Sequence, residues 1–514
     1  MSHEGPGFLQ RTLVYARHVA AWDLMPIWSS SDAFGFGSPM PLMYHKLFYL
    51  VAGPLALLTG SLRFADVSTV ALMLTVGAAG MFATARALQA SPLAATVAGL
   101  SLIGANYTVT SWLVRGAVAE HSAMMVLPWV LYFFVASIRD GRLHVGMGAA
   151  LGLMWLGHSV LAFYVGLLVA TAGLVLMLAR VAPWTLLNPR TAWPALLVLV
   201  VIISPYLAIM TMVAPAYDFS RILGPTFLPV DNFQPVSRYV WDRYWQFGRT
   251  ESGLTVQLDV PMLALGALAI AHLVRRVFLG AGTPAVKTLR LAAPILMVGV
   301  LAWLLQLPQA NAFYEAIPGA LYIQFPWRLL AVLTPALILS AVCLADVALP
   351  AHWRQSALCI AATWMLAGSG AFVPIHDHRM GDVDRVSLTN VTFSGFREYE
   401  PAAAPPVASS NTEILARWRE AGCTFERRMP ERETIVVDFD ASCPRTTTLP
   451  LPIYNSPLHA VDTGASGRRV RCQPLDGFPT LCGVTVPMGS SILSVQLPTV
   501  GAALSRAVLR RASR

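Results

Sequence analysis

An arginine and a glutamate five residues apart, Arg115 and Glu120, stand in a short polar connector between two strongly apolar runs. A second arginine, Arg328, follows Trp327 where another apolar run begins, and His158 sits in a Gly-His-Ser turn between two more. These residue types could carry out group transfer. A carboxylate can take a proton from a hydroxyl, and a guanidinium fork matches the oxygens of a phosphate bidentately. Each also has a plainer reading. Arg115 and Glu120 could pair with each other in a short helix, Arg328 with Trp327 could anchor a helix at a membrane interface, and His158 could be a polar turn residue. Ionisable groups so close to apolar runs are nonetheless costly to keep without a purpose.

The elements that must position these residues are membrane helices. The chain has 514 residues, of which 56% are hydrophobic and 12% charged, a balance outside that of soluble domains. About ten runs approach the length that the bilayer core requires: Val67–Ala85, Pro92–Tyr107, His121–Ala136, Val145–Gly157, Val160–Leu178, Trp193–Val213, Val260–Val277, Leu291–Leu307, Leu329–Val347 and Ser356–Val373. Helices are the only form open to them, because lipid leaves no water to satisfy a peptide group. The net charge of +9 resides almost entirely in arginine, with lysine only at Lys46 and Lys287. It is spread over short connectors and forms no basic face interleaved with aromatics, so the sequence gives no support to a nucleic-acid partner.

Those connectors set an orientation. Arg86; Arg139 and Arg142; Arg180 and Arg190; Arg275, Arg276, Lys287 and Arg290; and Arg354 fall in alternate connectors, which marks that side as cytoplasmic. The extracytoplasmic set is then residues 1–66, the loops 106–120, 214–259 and 308–328, the turn at His158, and everything after Val373. Domain limits of 1–66, 67–373 and 374–514 result. The long loop 214–259 carries Tyr239, Trp241, Tyr244, Trp245 and Phe247. Such rings could stack on sugars, although they also suit an interfacial belt.

After Val373 short β-rich runs alternate with Pro, Gly and Asp, and residues 374–514 read as a compact all-β domain. Four cysteines fall there, Cys423, Cys443, Cys472 and Cys482. In a domain outside the cytoplasm they suggest two disulfides, for instance Cys423–Cys443 with Cys472–Cys482, though three pairings are possible. No CxxC and no ligand-spaced histidine points to a structural metal. In residues 1–66, Leu9, Leu13, Ala16 and Ala20 recur at helical spacing with Arg11, Arg17 and His18 off the stripe, which suits a helix lying in the membrane interface. Leu47–Leu58, bracketed by prolines, reads as a re-entrant segment or a full span. His45, His121, Asp23 and Asp32 are weaker candidates for chemistry.

Three stretches together resemble a known family. GFGSPMPLMYHKLFYL (35–50), VRGAVAEHSAMMVLPWVL (114–131) and IQFPWRLL (323–330) resemble the G-Y-G-Y-P, R-G-A-x-x-E and Q-F-P-W-R patterns of bacterial membrane proteins labelled "6-pyruvoyl-tetrahydropterin synthase-related". These are close to YfhO-type proteins of the GT-C glycosyltransferase superfamily. The runs LPLPIYNSPLHAVDTGASGRRV and DGFPTLCGVTVPMGSS are similar to their terminal β domain. The resemblance implies a GT-C-like polytopic helical fold and transfer of a sugar from a polyprenyl-phosphate donor to a glycan, lipid or envelope polymer outside the cytoplasmic membrane of a bacterium. It implies Glu4 as the catalytic acid or base, with Glu120 as the alternative. Arg115, Arg328, Gln324 and His158 are then expected to bind the substrate. A divalent cation could join the outer carboxylates, and no residue pattern requires one.

In that superfamily a transmembrane helix precedes the acid, and here none does. The sequence therefore leads us to expect either a helix upstream of Met1 or a partner membrane subunit supplying it. The second reading of the whole chain is a non-catalytic GT-C-like scaffold within an envelope polysaccharide assembly. No phosphate-binding glycine loop, G-x-S-x-G elbow or H-E-x-x-H motif occurs, which removes support for nucleotide donors, hydrolase triads and zincin chemistry.

Overall fold

A computed structural model describes residues 7–218, 223, 227–242, 255–278, 283–371, 400–402, 404, 407–428, 436–456, 458–463, 469–497 and 499–500. Seventeen α-helices occur among them. The first ten are α1 (Gly7–Ala20), α2 (Met40–Met43), α3 (Leu47–Thr59), α4 (Leu62–Ala87), α5 (Pro92–Ile103), α6 (Asn106–Val109), α7 (Val118–Asp140), α8 (Val145–Gly157), α9 (Ser159–Leu178) and α10 (Pro189–Val213). Beyond them lie α11 (Val236–Val240), α12 (Val260–Phe278), α13 (Thr283–Leu304), α14 (Asn311–Ala316), α15 (Leu330–Ala348), α16 (Ala351–Ala371) and α17 (Val407–Glu420).

Among the described residues each of the ten apolar runs lies largely on helix, with Pro92–Tyr107 divided between α5 and α6. Among the described residues, six helical stretches are long and apolar enough to cross a membrane: Leu62–Ala87, Pro92–Val114, Val118–Asp140, Ser159–Leu178, Pro189–Ala216 and Pro326–Ala348. Ala292–Leu304 with Pro308–Ala316 would make a seventh, bent by 85°. With 13 residues each, α3 and α8 fall short of the roughly 20 that a straight crossing takes. The protein is a multi-pass membrane protein.

The chain divides into two compact units. The first comprises Met1–Phe8, Val67–Ile203 and Leu223–Arg379. Its central helix is α15, whose residues are nearly all buried and which packs against α5, α7, α12 and α13. Asp346 near the end of α15 accepts hydrogen bonds from the backbone N–H and the hydroxyl of Ser91, both at 2.7 Å, and so fixes the start of α5.

The second unit comprises Leu9–Asp66, Ser204–Ile222 and Met380–Arg514. Its described residues include eight strands: β1 (Thr424–Arg427), β2 (Val436–Cys443), β3 (Thr447–Tyr454), β4 (Ala460–Asp462), β5 (Arg469–Arg471), β6 (Gln473–Leu475), β7 (Phe478–Val486) and β8 (Gly489–Gln496). They form a five-stranded sheet in the order β1-β2-β8-β4-β5 and a three-stranded sheet in the order β3-β7-β6. Alternation of buried and exposed residues along β2 and β8 turns one face of the larger sheet into the core. Disulfides join Cys423 to Cys443 and Cys472 to Cys482.

Two features of this unit lie beyond the strand pattern. The first is α17, which buries Ile414 and Trp418 in the β-domain core, with the Trp418 indole N–H donating to the Pro450 carbonyl at 2.7 Å. The second is the contribution of residues 28–36. Trp28 and Phe36 belong to the same core cluster, the Tyr454 N–H donates to the Phe36 carbonyl at 2.9 Å, and Arg427 Nη1 donates to the Gly35 carbonyl at 2.8 Å. The stretch that the sequence sets apart as a first loop is thus packed as part of the C-terminal domain.

Helix α1 is also buried on both faces. Leu9 and Leu13 are enclosed, and so are Arg11, Arg17 and His18, so the helix does not turn a polar face to water. Two of these side chains have aromatic or acidic partners: the Arg11 guanidinium lies 3.8 Å from the centroid of Tyr44, and His18 Nδ1 is 3.0 Å from Asp23.

The G-F-G-S-P stretch explains itself through Asp32, whose side chain accepts from Ser38 Oγ (2.6 Å) and Gln10 Nε2 (2.9 Å) while its carbonyl accepts from the N–H groups of Gly35 and Gly37. Closing this knot requires positive φ at Gly37 (81°), where a Cβ would stand 2.5 Å from Trp28 Nε1. Gly37→Ala is therefore expected to lower stability by more than about 1 kcal/mol, from left-handed strain and from displacement of a core tryptophan. Thermal unfolding of the purified variant reads this directly.

Candidate functional site

The site is assembled in the first unit from two turns, each leading into a helix of the bundle. In the first, α6 runs into a π-turn over Thr110–Val114, ending at Arg115. Gly116 then takes φ of 68°, and α7 starts at Val118 with Glu120 in its first turn. A carboxylate at a helix N-terminus is favoured by the helix dipole. Arg115 and Glu120 do pair, as their spacing suggests, but across a glycine corner between two helical segments.

The second turn is the Gln-Phe-Pro-Trp-Arg stretch. The Phe325 N–H donates to the Ile323 carbonyl at 2.6 Å across Gln324, which has φ 62° and ψ −50°. This is a γ-turn with positive φ, a strained form. Phe325 is extended, as a residue before proline must be, and Pro326 opens a 3-10 turn over Pro326–Leu329 that runs into α15. Strain of this kind persists only where the surroundings enforce it. Here Arg328 is the brace, its Nη1 donating to Gln324 Oε1 (2.9 Å) and to the Ile323 carbonyl (3.2 Å).

The two turns meet at Glu120, which is 3% exposed. Arg115 donates to it as a fork, Nη1 to Oε1 at 2.7 Å and Nη2 to Oε2 at 3.1 Å. The Tyr107 hydroxyl donates to Oε1 at 2.5 Å and also accepts from Arg115 Nη1 at 3.2 Å. Arg328 Nε lies 3.5 Å from Oε2. The Arg115 guanidinium is 4.9 Å from the Trp327 ring centroid, and Trp327 meets Tyr107 edge-on at 6.5 Å. Two guanidiniums therefore converge on one carboxylate with very different grips. Arg115 is committed through two short bonds, whereas the Arg328 contact is longer than a normal hydrogen bond.

His158 belongs to the same charge environment. Its Nδ1 accepts the Leu161 N–H at 3.1 Å and so caps α9. A nitrogen that accepts carries no proton, so this hydrogen bond assigns the proton of the neutral ring to Nε2. Burial first, then the guanidiniums of Arg328 and Arg115, hold His158 well below the usual histidine range.

Of the residues expected to bind substrate, the structure brings Arg115 and Arg328 to Glu120, with Gln324 held by Arg328 and His158 in electrostatic reach of both arginines. Glu4 lies outside the described residues. Tyr107 is the member of the cluster that the sequence does not single out. It closes an apolar run, and nothing local marks its hydroxyl as a partner of a glutamate 13 residues on. In the aromatic loop, Tyr239 is buried against Trp303 with centroids 5.0 Å apart, and residues 243–254 lie outside the described residues. Among the described residues no group of three or more His, Cys, Asp or Glu side chains is gathered to hold a metal.

A second network ties α6 to the outer loop that the sequence placed at 214–259. Asp259 Oδ1 accepts the Asn106 N–H at 2.8 Å, Gln257 Oε1 accepts the Asp242 N–H at 2.9 Å, and Asp242 Oδ2 takes Arg238 Nη2 at 2.9 Å. Burial, offset in part by the Asn106 N–H, pushes the Asp259 carboxyl up to about 7. The folded protein then holds a proton that the unfolded chain releases near its ordinary value of 3.8. Stability should fall as pH rises between those two values, by up to about 1.4 kcal/mol per pH unit. Asp259→Asn should flatten that slope and be the more stable form at its upper end, as read by thermal unfolding across the window.

Fold and site together define a multi-pass membrane protein with a C-terminal β domain and a buried arginine–glutamate cluster where two helices begin. No family model matches the chain, and no curated protein matches it by sequence. By structure it is similar to the arabinofuranosyltransferase AftD from mycobacteria, solved by single-particle cryo-EM, at a TM-score of 0.43 and 16% identity over 79% of this chain and 26% of that one. The chain thus spans about a quarter of that protein's length.

Proposed function

We propose that the chain is a GT-C-like membrane glycosyltransferase that moves a sugar from a polyprenyl-phosphate donor to an envelope glycan, lipid or polymer on the extracytoplasmic face of a bacterial cytoplasmic membrane. The observation that carries this reading is the convergence of Arg115 and Arg328 on Glu120 at the starts of α7 and α15, with His158 at the start of α9 in the electrostatic reach of both guanidiniums. Cationic forks and a fixed N–H donor beside apolar helices suit an anion that arrives attached to a lipid tail.

The distances divide the labour. Glu120 stands where a phosphate could stand, and Arg115, held to it by both nitrogens, keeps it there. Arg328, with the looser contact, is the guanidinium that turns to the donor phosphate, with the neutral His158 imidazole as a second donor to the same anion. As the phosphate departs with its lipid, these donors stabilise the developing charge. The acceptor hydroxyl gives its proton to Glu4, the base that the sequence resemblance implies, with Glu120 the alternative.

The scaffold reading is favoured by one specific fact: both Glu120 oxygens are already engaged, which leaves that carboxylate poorly placed to act as a base. Purified protein given labelled polyprenyl-phosphate sugar and a membrane extract as acceptor separates the two. Transfer lost in Glu4→Gln and retained in part by Glu120→Gln is the expected outcome. If both variants turned over at the wild-type rate, neither carboxylate would be the base. If the wild-type chain transferred nothing, the scaffold reading would take its place.

A further inference from the structure

The second unit carries a groove of about 800 Å³ on the outward side of β1, β2 and β8. Cross-strand register builds it from two rows. Thr424 stands opposite Ser442, which stands opposite Ser490, a line of three hydroxyls. Beside it Glu426 faces Asp440, which faces Ile492. All six side chains line the groove, and Met488, exposed at its rim, adds a second aliphatic surface.

We infer that this groove binds a neutral carbohydrate chain. The backbone of β2, the middle strand of the floor, is paired on both sides, to β1 and to β8, so along the centre of the groove recognition falls to the side chains. What they offer is an alternation of hydroxyls, carboxylates and aliphatic carbon, with neighbouring strands about 4.8 Å apart. A sugar chain presents the complement, hydroxyl edges beside C–H faces.

The charge pattern narrows the ligand. Glu426 and Asp440 are like charges directly opposed, an arrangement that costs stability in a sheet. Arg428 answers only one of them, with Nε 2.7 Å from Asp440 Oδ2. Glu426 is thereby left to accept from ligand hydroxyls, and its charge turns away phosphates, uronates and anionic lipids. The Cys423–Cys443 disulfide ties the end of β2 to the residue preceding β1, which keeps the two rows in register before any ligand arrives. The groove gives the glycan acceptor of the proposed function a place to dock, and in that respect rests on that reading. Binding itself is measured without turnover, so either can fail alone.

The test uses the full-length protein in nanodiscs and a panel of short linear oligosaccharides of glucose, mannose, galactose and arabinose, with oligogalacturonate as an anionic probe. Saturation-transfer NMR identifies binders and calorimetry ranks them. At least one neutral chain is expected to bind, with affinity reduced roughly tenfold or more by Glu426→Gln and reduced by Ile492→Ala. Thr448→Ala on the other sheet should leave binding as in the wild type, with the same thermal transition confirming that Glu426→Gln is folded. Silence across the neutral panel, an unchanged affinity in Glu426→Gln, or tighter binding of oligogalacturonate would overturn the assignment. Sugar binding without transfer would leave the groove standing and remove the enzyme reading; transfer without binding would do the reverse.

Discussion

Arg115→Ala is expected to cost the protein about 3–5 kcal/mol, because it strips the bidentate partner from a carboxylate that is 3% exposed and leaves a buried charge poorly compensated. The same side chain packs on Trp327, so lost stacking adds to the electrostatic penalty. Tyr107→Phe removes one short hydrogen bond to the same carboxylate and should cost less, about 1.5–3 kcal/mol. Replacing both members of the pair, as in Arg115→Met with Glu120→Leu, should recover much of what either single change loses, since an apolar pair of similar volume needs no compensation. Asp140→Asn provides the contrast. Its ion pair with Arg139 is open to solvent, and such pairs contribute little. Unfolding of the variants in one detergent orders them. An Arg115→Ala variant as stable as Asp140→Asn would mean that the carboxylate is not held as described.

Arg328→Ala should act on turnover more than on folding. Its contact with Glu120 is long, and its short bonds brace the γ-turn at Gln324. Loss of a charge-stabilising donor of this kind typically lowers kcat by about 10²–10³. Arg328→Lys keeps the charge but cannot reach Glu120, Gln324 and a phosphate together, so it should recover only part of the rate. The diagnostic readout is the split between constants. Loss of a guanidinium that serves the departing phosphate lowers kcat with a modest change in KM, whereas loss of one that only braces the turn would shift the thermal transition and leave kcat per folded molecule unchanged.

How far these residues can be read from the chain depends on the range over which they act. The helices arise from local hydrophobicity, and the Arg-Gly-Ala-Val-Ala-Glu and Gln-Phe-Pro-Trp-Arg stretches place Arg115 near Glu120 and Gln324 near Arg328 by spacing alone. That the two stretches meet is a property of packing between α7 and α15, more than 200 residues apart, and no periodicity encodes it. The same holds for Trp28 and Phe36, ordinary aromatics in a Gly-rich loop whose burial depends on a sheet that begins near residue 424. Helix α17 has no clear signature in the chain because its exposed face is polar and its buried one is short, anchored by Ile414 and Trp418. The cysteine pairs are among the arrangements open to the sequence, and strand register selects them. Arg11, Arg17 and His18 mark the opposite error. Polar residues off an apolar stripe suggest a wet face, yet all three are buried, with Tyr44 against Arg11 and Asp23 against His18.

The central claim is that this chain transfers a sugar from a lipid phosphate through a site in which Arg328 receives the leaving phosphate. The most direct measurement is transfer of labelled sugar from a defined polyprenyl-phosphate donor by the purified chain alone, wild type and Arg328→Ala side by side at matched folded concentration. The account predicts product with the wild type and a loss of about a hundredfold or more in the variant. Equal rates in the two, or no product from a wild-type protein that binds the donor, would contradict it.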